Sequence, residues 1–287
     1  MQTSQFTDLD ETGKVVLDNI YNQSDPRAYF STLQELDYCI PGLAKPVFRR
    51  IIDVYRKTRG KRAVRLVDVG CSYGVNSAMV RHDKDMDDLF RAYAGPTAGG
   101  FQRSELVARD HRLFDGDATD HDMTVIGMDA APRAVGYGKD AGLLDRTIAA
   151  DLETSRLGDD DRAGLAGTDL VISTGCVGYV SEKTLCQIAD ASEGRAWMAH
   201  FVLRMFPYDK VRAALAERGY VTARGSHTYR QRRFASAEEK AEVMNRLVAL
   251  GIDPSGRESE GWLHADLYVS RPVEDSRKLS CRDLLPA

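Results

Sequence analysis

The sequence predicts an α/β fold, a seven-stranded, doubly wound and mostly parallel sheet preceded by an N-terminal helical cap. Short apolar runs alternate with helical stretches over residues 61–272, the pattern of strands buried on both faces by crossover helices. The first of these runs, Val64-Arg65-Leu66-Val67-Asp68-Val69, leads directly into a turn containing Gly70 and Gly74 and then a helix. Open parallel sheets build ligand sites at such turns. With 43% hydrophobic and 29% charged residues in 287, the chain can bury a core without disulfides.

The elements follow in order. Residues 1–60 read as the cap. Val15, Leu17, Ile20 and Tyr21, then Val47, Phe48, Ile51, Ile52 and Tyr55, recur at mostly helical spacing, broken by Asp25-Pro26 and Pro41-Gly42. Residues 61–272 form the main domain. Its strands are expected at Val64–Val69, Thr124–Asp129, Arg146–Ala150, Asp169–Ser173, Ala196–Leu203, Tyr220–Ala223 and Trp262–Ser270. Helices are expected at 75–92, 131–142, 181–192 and 209–218. Residues 93–122 read as an insertion with a Gly/Pro-rich loop, a short helix near Ser104–Phe114 and an acidic loop. An extra helix at 236–250 is announced by Ser236 with Glu239 three positions on. The polar stretch 273–287 reads as a loosely held tail.

Thirty-nine Lys and Arg against 43 Asp and Glu give a net charge of −4, which argues against a surface that tracks nucleic-acid phosphates. The five cysteines (Cys39, Cys71, Cys176, Cys186, Cys281) are scattered and form no C-x-x-C pair, so neither a disulfide framework nor a zinc knuckle is expected. No apolar stretch reaches the length of a membrane span and no basic-then-apolar leader opens the chain. The expectation is a cytoplasmic protein with no membrane partner. His111, Asp115, Asp117, Asp120, His121 and Asp122 cluster in the insertion but lack the glycine and the terminal glutamate of a calcium loop, so no metal is expected.

The segment VRLVDVGCSYGVNS, residues 64–77, carries most of the functional information, and three chemistries fit it differently. Gly70-Cys71-Ser72-Tyr73-Gly74 matches the literal G-x-S-x-G of a nucleophile elbow, with Ser72 attacking and His264 as a candidate downstream partner. No glycine-rich oxyanion segment precedes it. A dinucleotide site wants G-x-G-x-x-G and an acid about 20 residues on; here the second glycine is missing and Asp129 lies much further along. The third chemistry starts from Asp68. An anion above the turn repels phosphate but suits an ammonium or sulfonium. Asp129 ends the next strand, where a carboxylate can take both hydroxyls of a ribose, and Asp151 follows the third, where one can accept from an adenine amine. Glycine turn, ribose acid and adenine acid on successive strand ends describe an S-adenosylmethionine site.

At this point the chain resembles the class I S-adenosylmethionine-dependent methyltransferases. VDVGCSYG is similar to their first motif, IGMDAAP to their ribose motif, AADLE to their adenine motif, and DLVISTGCVGYV to the strand and loop beside the transferred methyl. The resemblance covers about residues 60–270. It implies that Asp68, Gly70, Cys71, Ser72 and Gly74 contact the methionine part, Asp129 and Ala130 the ribose, and Asp151 and Leu152 the adenine. Thr174, Gly175 and Cys176 would then lie behind the sulfonium. The departure is the long gap before Asp129, taken up by the 93–122 insertion.

The function expected is methyl transfer to a small-molecule acceptor by in-line displacement, driven mainly by positioning. The alternative keeps the cofactor without methylation, as a binding protein or an enzyme using the sulfonium charge. Tyr179 and His200 are the candidate catalytic residues, Tyr179 because it falls where related enzymes often carry a substrate-facing histidine. Arg204 and Tyr208, near a strand's carboxyl end, and Tyr29 and Tyr38, in the cap, are the candidate substrate contacts. Arg230-Gln231-Arg232-Arg233 reads as a solvated or carboxylate-binding patch. The N-terminal helices could also bury a homodimer contact.

Overall fold

The structure is a computed structural model that describes residues 8–115, 120–280 and 284. Three helices open the fold, α1 (Asp18–Tyr21), α2 (Arg27–Glu35) and α3 (Ile40–Arg59), followed by β1 (Val64–Val69), α4 (Val75–Val80), α5 (Met86–Tyr93), α6 (Arg103–Asp115) and β2 (Met123–Asp129). The chain continues through α7 (Pro132–Asp140), β3 (Arg146–Ala149), α8 (Asp159–Leu165), β4 (Leu170–Thr174), α9 (Glu182–Ala191) and β5 (Trp197–Leu203). It ends with α10 (Asp209–Ala216), β6 (Tyr220–Arg233), α11 (Ala237–Ala249), β7 (Trp262–Pro272) and α12 (Val273–Lys278).

The seven strands form one sheet in the order β3-β2-β1-β4-β5-β7-β6, parallel from β3 to β5, with β7 antiparallel to both its neighbours. Every residue of β5 is buried, and because successive side chains point to opposite faces, both faces of the sheet are covered. The chain winds outward from β1 to β3 and then crosses back to β4, so the switch in direction falls between β1 and β4. Ligands of such sheets bind in the crevice at that point, beyond the carboxyl ends of the strands.

Four expectations are corrected. Pro41 does not break the cap. It sits in the first turn of α3, where a missing N–H costs nothing. The single helix expected over 75–92 is two, because Asp83 turns into the left-handed region (φ 57°) and Asp85 and Asp88 build a capping box that starts α5 afresh. The last stretch is not a loose tail over its described residues. It forms α12, in which buried Asp275 accepts from Trp197 Nε1 at 2.7 Å and pairs with Arg59. The short β6 expected at Tyr220–Ala223 runs on to Arg233, with register shifts between Arg224 and Thr228 and between Arg230 and Arg233.

That longer strand ties the cap to the sheet. Cys39 N–H donates to the Gln231 carbonyl (2.8 Å), and Arg233 N–H to the Leu36 carbonyl (2.7 Å). Phe48 of α3 meets Phe201 of β5 edge-on at 5.3 Å, and Phe30 stacks on Tyr93 at 4.8 Å. Ahead of α1, residues 8–16 form a small hairpin in which Leu9 pairs with Val15. Asp10 Oδ1 holds its turn by accepting from Thr12 N–H, the Thr12 hydroxyl and Lys14 N–H. Val15 N–H donates to Glu239 of α11 at 2.9 Å, fastening this strap across the carboxyl side of the sheet.

In the insertion, Asp120 pairs with Arg56 and Asp122 with Arg62, while Asp117 lies outside the described residues. No group of three potential metal ligands occurs among the described residues. Nor does any described helix have the length and apolarity to cross a membrane.

Candidate functional site

One cavity of about 610 Å³ opens at the carboxyl ends of the strands. Its wall is contributed by Gly70 and Ser72 after β1, Asp129 and Ala130 at β2, Asp151 and Leu152 after β3, and Thr174, Gly175, Cys176 and Tyr179 after β4. Tyr29 and Tyr38 of the cap close one side, the strap closes another, and the end of β6 brings Gln231 and Arg232. Residues scattered through the sequence over more than 150 positions thus converge because parallel strands deliver their loops to one edge.

The first turn is shaped by backbone that only glycine tolerates well. Gly70 has φ +67°, and a Cβ there would stand 2.5 Å from Cys176 Cβ, so the turns after β1 and β4 touch through the missing side chain. Gly74 (φ +88°) caps α4, and between the two glycines Ser72 holds φ +50°, a strained value for a residue with a side chain. Gly175 (φ +79°) leaves no room either, since a Cβ would meet Gln231 Nε2 at 2.2 Å.

Asp129 fixes the turn from the neighbouring strand. Its Oδ2 accepts from Ser72 N–H at 2.9 Å and its Oδ1 from Ala131 N–H at 3.0 Å, while burial holds its carboxyl above the ordinary range. Asp151 is exposed on the cavity rim and accepts from Glu153 N–H and the Thr154 hydroxyl.

Asp68 is fully buried beneath the Gly70 turn and is not part of the cavity wall, so the direct contact expected of it is corrected. One oxygen accepts from Asn76 Nδ2 at 2.9 Å, and Asn76 reaches Thr174 Oγ1 at 3.2 Å. The other oxygen has no partner among the described residues. Burial pushes the carboxyl up to about 7, opposed by the Asn76 hydrogen bond and assisted by the charge of Asp129. Cys71 and Gly74 are likewise buried off the wall; Cys71 Sγ packs 2.8 Å from where a Gly127 Cβ would stand.

Three further candidates are withdrawn from the site because packing places them elsewhere. His200 is fully buried in β5, held to the Ser173 hydroxyl at 2.8 Å, and burial drives its imidazole down to about 3, so it stays neutral. Arg204 is buried in an ion pair with Glu258 (2.6 Å) and donates to the Asp253 carbonyl (2.8 Å). Tyr208 is buried and stacked on Tyr268 at 4.2 Å. None of the three lines the cavity. The hydrolase reading fails on the same ground. The Ser72 hydroxyl has no hydrogen-bond partner among the described residues, and His264 sits on β7, three strands from β1, or about 14 Å by strand spacing.

Tyr179 does belong to the wall. Its hydroxyl donates to Asp10 Oδ2 of the strap at 2.6 Å, and its ring meets Phe206 edge-on at 5.7 Å. Lys14 and Tyr21 also belong, with no sequence signal for it, as do Gln231 and Arg232 of the patch read as solvated or carboxylate-binding. Arg232 is not solvated. It makes a buried bidentate pair with Glu239 (2.6 and 2.9 Å) and sits behind the strap. Arg230 and Arg233 instead lie over the Trp262 ring at 4.9 and 4.5 Å. The Asp10-Glu11-Thr12-Gly13 turn before Lys14 marks a hairpin ahead of the cap but gives no hint of where it folds.

No family model and no curated protein matches this chain. Among solved structures it is similar to the plantazolicin methyltransferase BpumL in complex with SAH, at 11% identity and a TM-score of 0.38, over 80% of this chain and 84% of that one. A TehB-like SAM-dependent methyltransferase from Corynebacterium glutamicum matches at 14% identity and a TM-score of 0.37, over 77% and 85%. The magnesium protoporphyrin IX methyltransferase of Synechocystis with bound SAM matches at 14% identity and a TM-score of 0.35, over 77% of each chain. Functional assignment rests on the chemistry of the cavity wall.

Proposed function

We propose that the protein is an S-adenosylmethionine-dependent methyltransferase acting on a small-molecule acceptor. The observation that carries this reading is the single cavity bounded by the Gly70 turn, Asp129 at the end of β2 and the Asp151-Leu152 rim after β3. That series offers an adenosyl group a close backbone approach, an acceptor for its ribose hydroxyls and a mixed polar and apolar seat for its base. Above about pH 7, where it ionises, the Asp68 carboxyl beneath the turn, one oxygen of which has no partner among the described residues, adds a negative field suited to a cation above it and hostile to a phosphate.

When bound, S-adenosylmethionine supplies an electrophilic methyl on a positively charged sulfur. The chain's own contribution is orientation and exclusion of water. Thr174, Gly175 and Cys176 form the floor beside the Gly70 turn, Tyr29 and Tyr38 wall the far side, and the strap covers the mouth. Positioning of this kind is worth up to about 7–11 kcal/mol of barrier. With His200 sealed in β5, Tyr179 is the catalytic candidate that faces the cavity, its hydroxyl oriented by Asp10.

The test is calorimetric titration of S-adenosylmethionine and S-adenosylhomocysteine into the full chain, with NAD and ATP as controls, followed by a screen for acceptor-dependent release of S-adenosylhomocysteine. Binding confined to the two adenosyl sulfur ligands supports the reading. Preference for NAD or ATP overturns it, and adenosyl binding with turnover that releases no S-adenosylhomocysteine would favour the non-methylating alternative.

A further inference from the structure

Beyond the adenosyl half, the cavity continues between the ends of β4 and β6 and the strap, where Lys14 stands out chemically. Its side chain is buried, 8% exposed, yet among the described residues its ammonium makes no hydrogen bond and no ion pair. The contact it does make is with the Tyr179 ring, at 4.9 Å. A buried cation without a partner is costly. The charges around it are committed elsewhere. Glu239 is held by both Arg232 nitrogens, Val15 N–H and Ala235 N–H, and Asp10 by Tyr179, Thr12 and the Lys14 backbone. Nearby, Gln231 is also buried on the cavity wall, with its Oε1 unpartnered among the described residues.

We propose that Lys14 seats a carboxylate of the methyl acceptor, so that the substrate is an organic monoanion with a flat apolar body and a hydrogen-bond donor that meets Gln231. This rests on the methyltransferase reading above and names the substrate class of the same site. A monoanion fits because, among the described residues that line the cavity, Lys14 is the one basic side chain outside an ion pair, and Asp10 and Glu239 stand close enough to repel a second negative charge. The flat body follows from the aromatic wall: Tyr29 lies edge-on to Tyr21 at 5.8 Å and to Tyr38 at 6.3 Å, and all three line the cavity. A carboxylate also occurs on the methionine part of the cofactor. Lys14 rests on the ring of Tyr179, the residue read above as the catalytic candidate facing the cavity, which argues for the acceptor, and the S-adenosylhomocysteine affinity of a Lys14 variant separates the two.

Burial brings the Lys14 ammonium down to about 8, with Arg232 pushing the same way and Glu239 and Asp10 opposing. Anion binding should therefore weaken as pH rises through 8, with Tyr179, Asp10, Glu239 and Arg232 the facing groups.

The experiment uses the full chain and the probes benzoate, 4-hydroxybenzoate and indole-3-acetate, each paired with its primary amide. Binding is read by saturation-transfer NMR, with and without S-adenosylhomocysteine. The expected result is that at least one acid binds and its amide does not, and that Lys14→Met weakens that acid tenfold or more. Lys14→Arg should retain the acid, and S-adenosylhomocysteine affinity in Lys14→Met should stay within twofold of the parent. A tenfold loss of S-adenosylhomocysteine affinity in Lys14→Met overturns the proposal by assigning Lys14 to the cofactor. Equal binding of acids and amides, or binding of neither, also overturns it. Failure of the adenosyl reading itself would show separately, as no S-adenosylhomocysteine binding to the unmodified protein.

Discussion

The Asp129 carboxylate accepts from the Ser72 backbone N–H at 2.9 Å, so the end of β2 holds the strained turn after β1 in place. Asp129 also accepts from Ala131 N–H at 3.0 Å and faces the cavity with what lone-pair capacity remains. Asp129→Ala should weaken S-adenosylhomocysteine binding by tenfold or more, as losing hydrogen bonds to a charged group costs about 1.5–3 kcal/mol. Titration calorimetry checks it. Unchanged affinity would remove Asp129 from the site.

Asp68 should couple binding and stability to pH. Its folded-state carboxyl titrates near 7 instead of the ordinary 3.8, so between about pH 4 and 7 the folded protein keeps a proton that the unfolded chain has released. Its contribution to stability therefore falls as pH rises through that window, by up to about 1.4 kcal/mol per pH unit. Buried His82 and His200, driven down to about 4 and about 3, act in the opposite sense below pH 6.5, so the wild-type profile alone would mix the two. Urea unfolding of Asp68→Asn against wild type cancels the histidines. The variant's relative stability should rise from pH 4 to 7 and level off above 8. S-adenosylhomocysteine should bind wild type more tightly at pH 8 than at pH 6 and lose that dependence in the variant.

Arg204 and Glu258 form a buried pair at 2.6 Å, remote from the cavity. Arg204→Met should destabilise by about 3–5 kcal/mol because it strands the Glu258 charge, and Arg204→Met with Glu258→Leu should regain most of that loss. Neither change should move S-adenosylhomocysteine affinity by more than about twofold in the folded fraction, in line with the about 0.3–0.5 kcal/mol within which distant sites act independently. Chemical denaturation with parallel titration distinguishes this from a substrate-binding role, in which affinity for an acceptor falls while stability holds.

Gly70→Ala should disrupt the site more than its size suggests. The backbone at φ +67° disfavours a side chain, and the new Cβ would stand 2.5 Å from Cys176 Cβ. A cost of about 1–3 kcal/mol in stability is expected, together with loss of cofactor binding, since the displaced Cys176 loop is part of the same floor. Pairing it with Cys176→Gly should relieve the clash but not the φ strain, so thermal denaturation should show partial recovery of stability.

The strands of the sheet, the glycine turn and the acids that end β2 and follow β3 were legible from local signals: buried runs, φ-permissive residues and chemistry at strand ends. The split between α4 and α5 was written in the Asp85–Asp88 capping box and passed over because the apolar spacing alone continued through it. The extension of β6 was not legible, as its outer half shows no alternation of buried and exposed residues, with Gln231 and Arg232 buried in succession, and takes its order from a pairing with β7 that two register shifts interrupt. That pairing decided the fate of Gln231 and Arg232, which local sequence left as either solvated or carboxylate-binding and the sheet carries to the cavity. Burial likewise separated His200, Arg204 and Tyr208 from Tyr179. Sequence by itself determined which backbone turns and strand-end acids this chain possesses, because those depend on neighbours in the chain. Only tertiary structure decided that the strap of residues 8–16 folds over the carboxyl edge and leaves the Lys14 ammonium against the Tyr179 ring with no ion-pair partner among the described residues, because that outcome depends on Glu239 and Tyr179, more than 160 residues away.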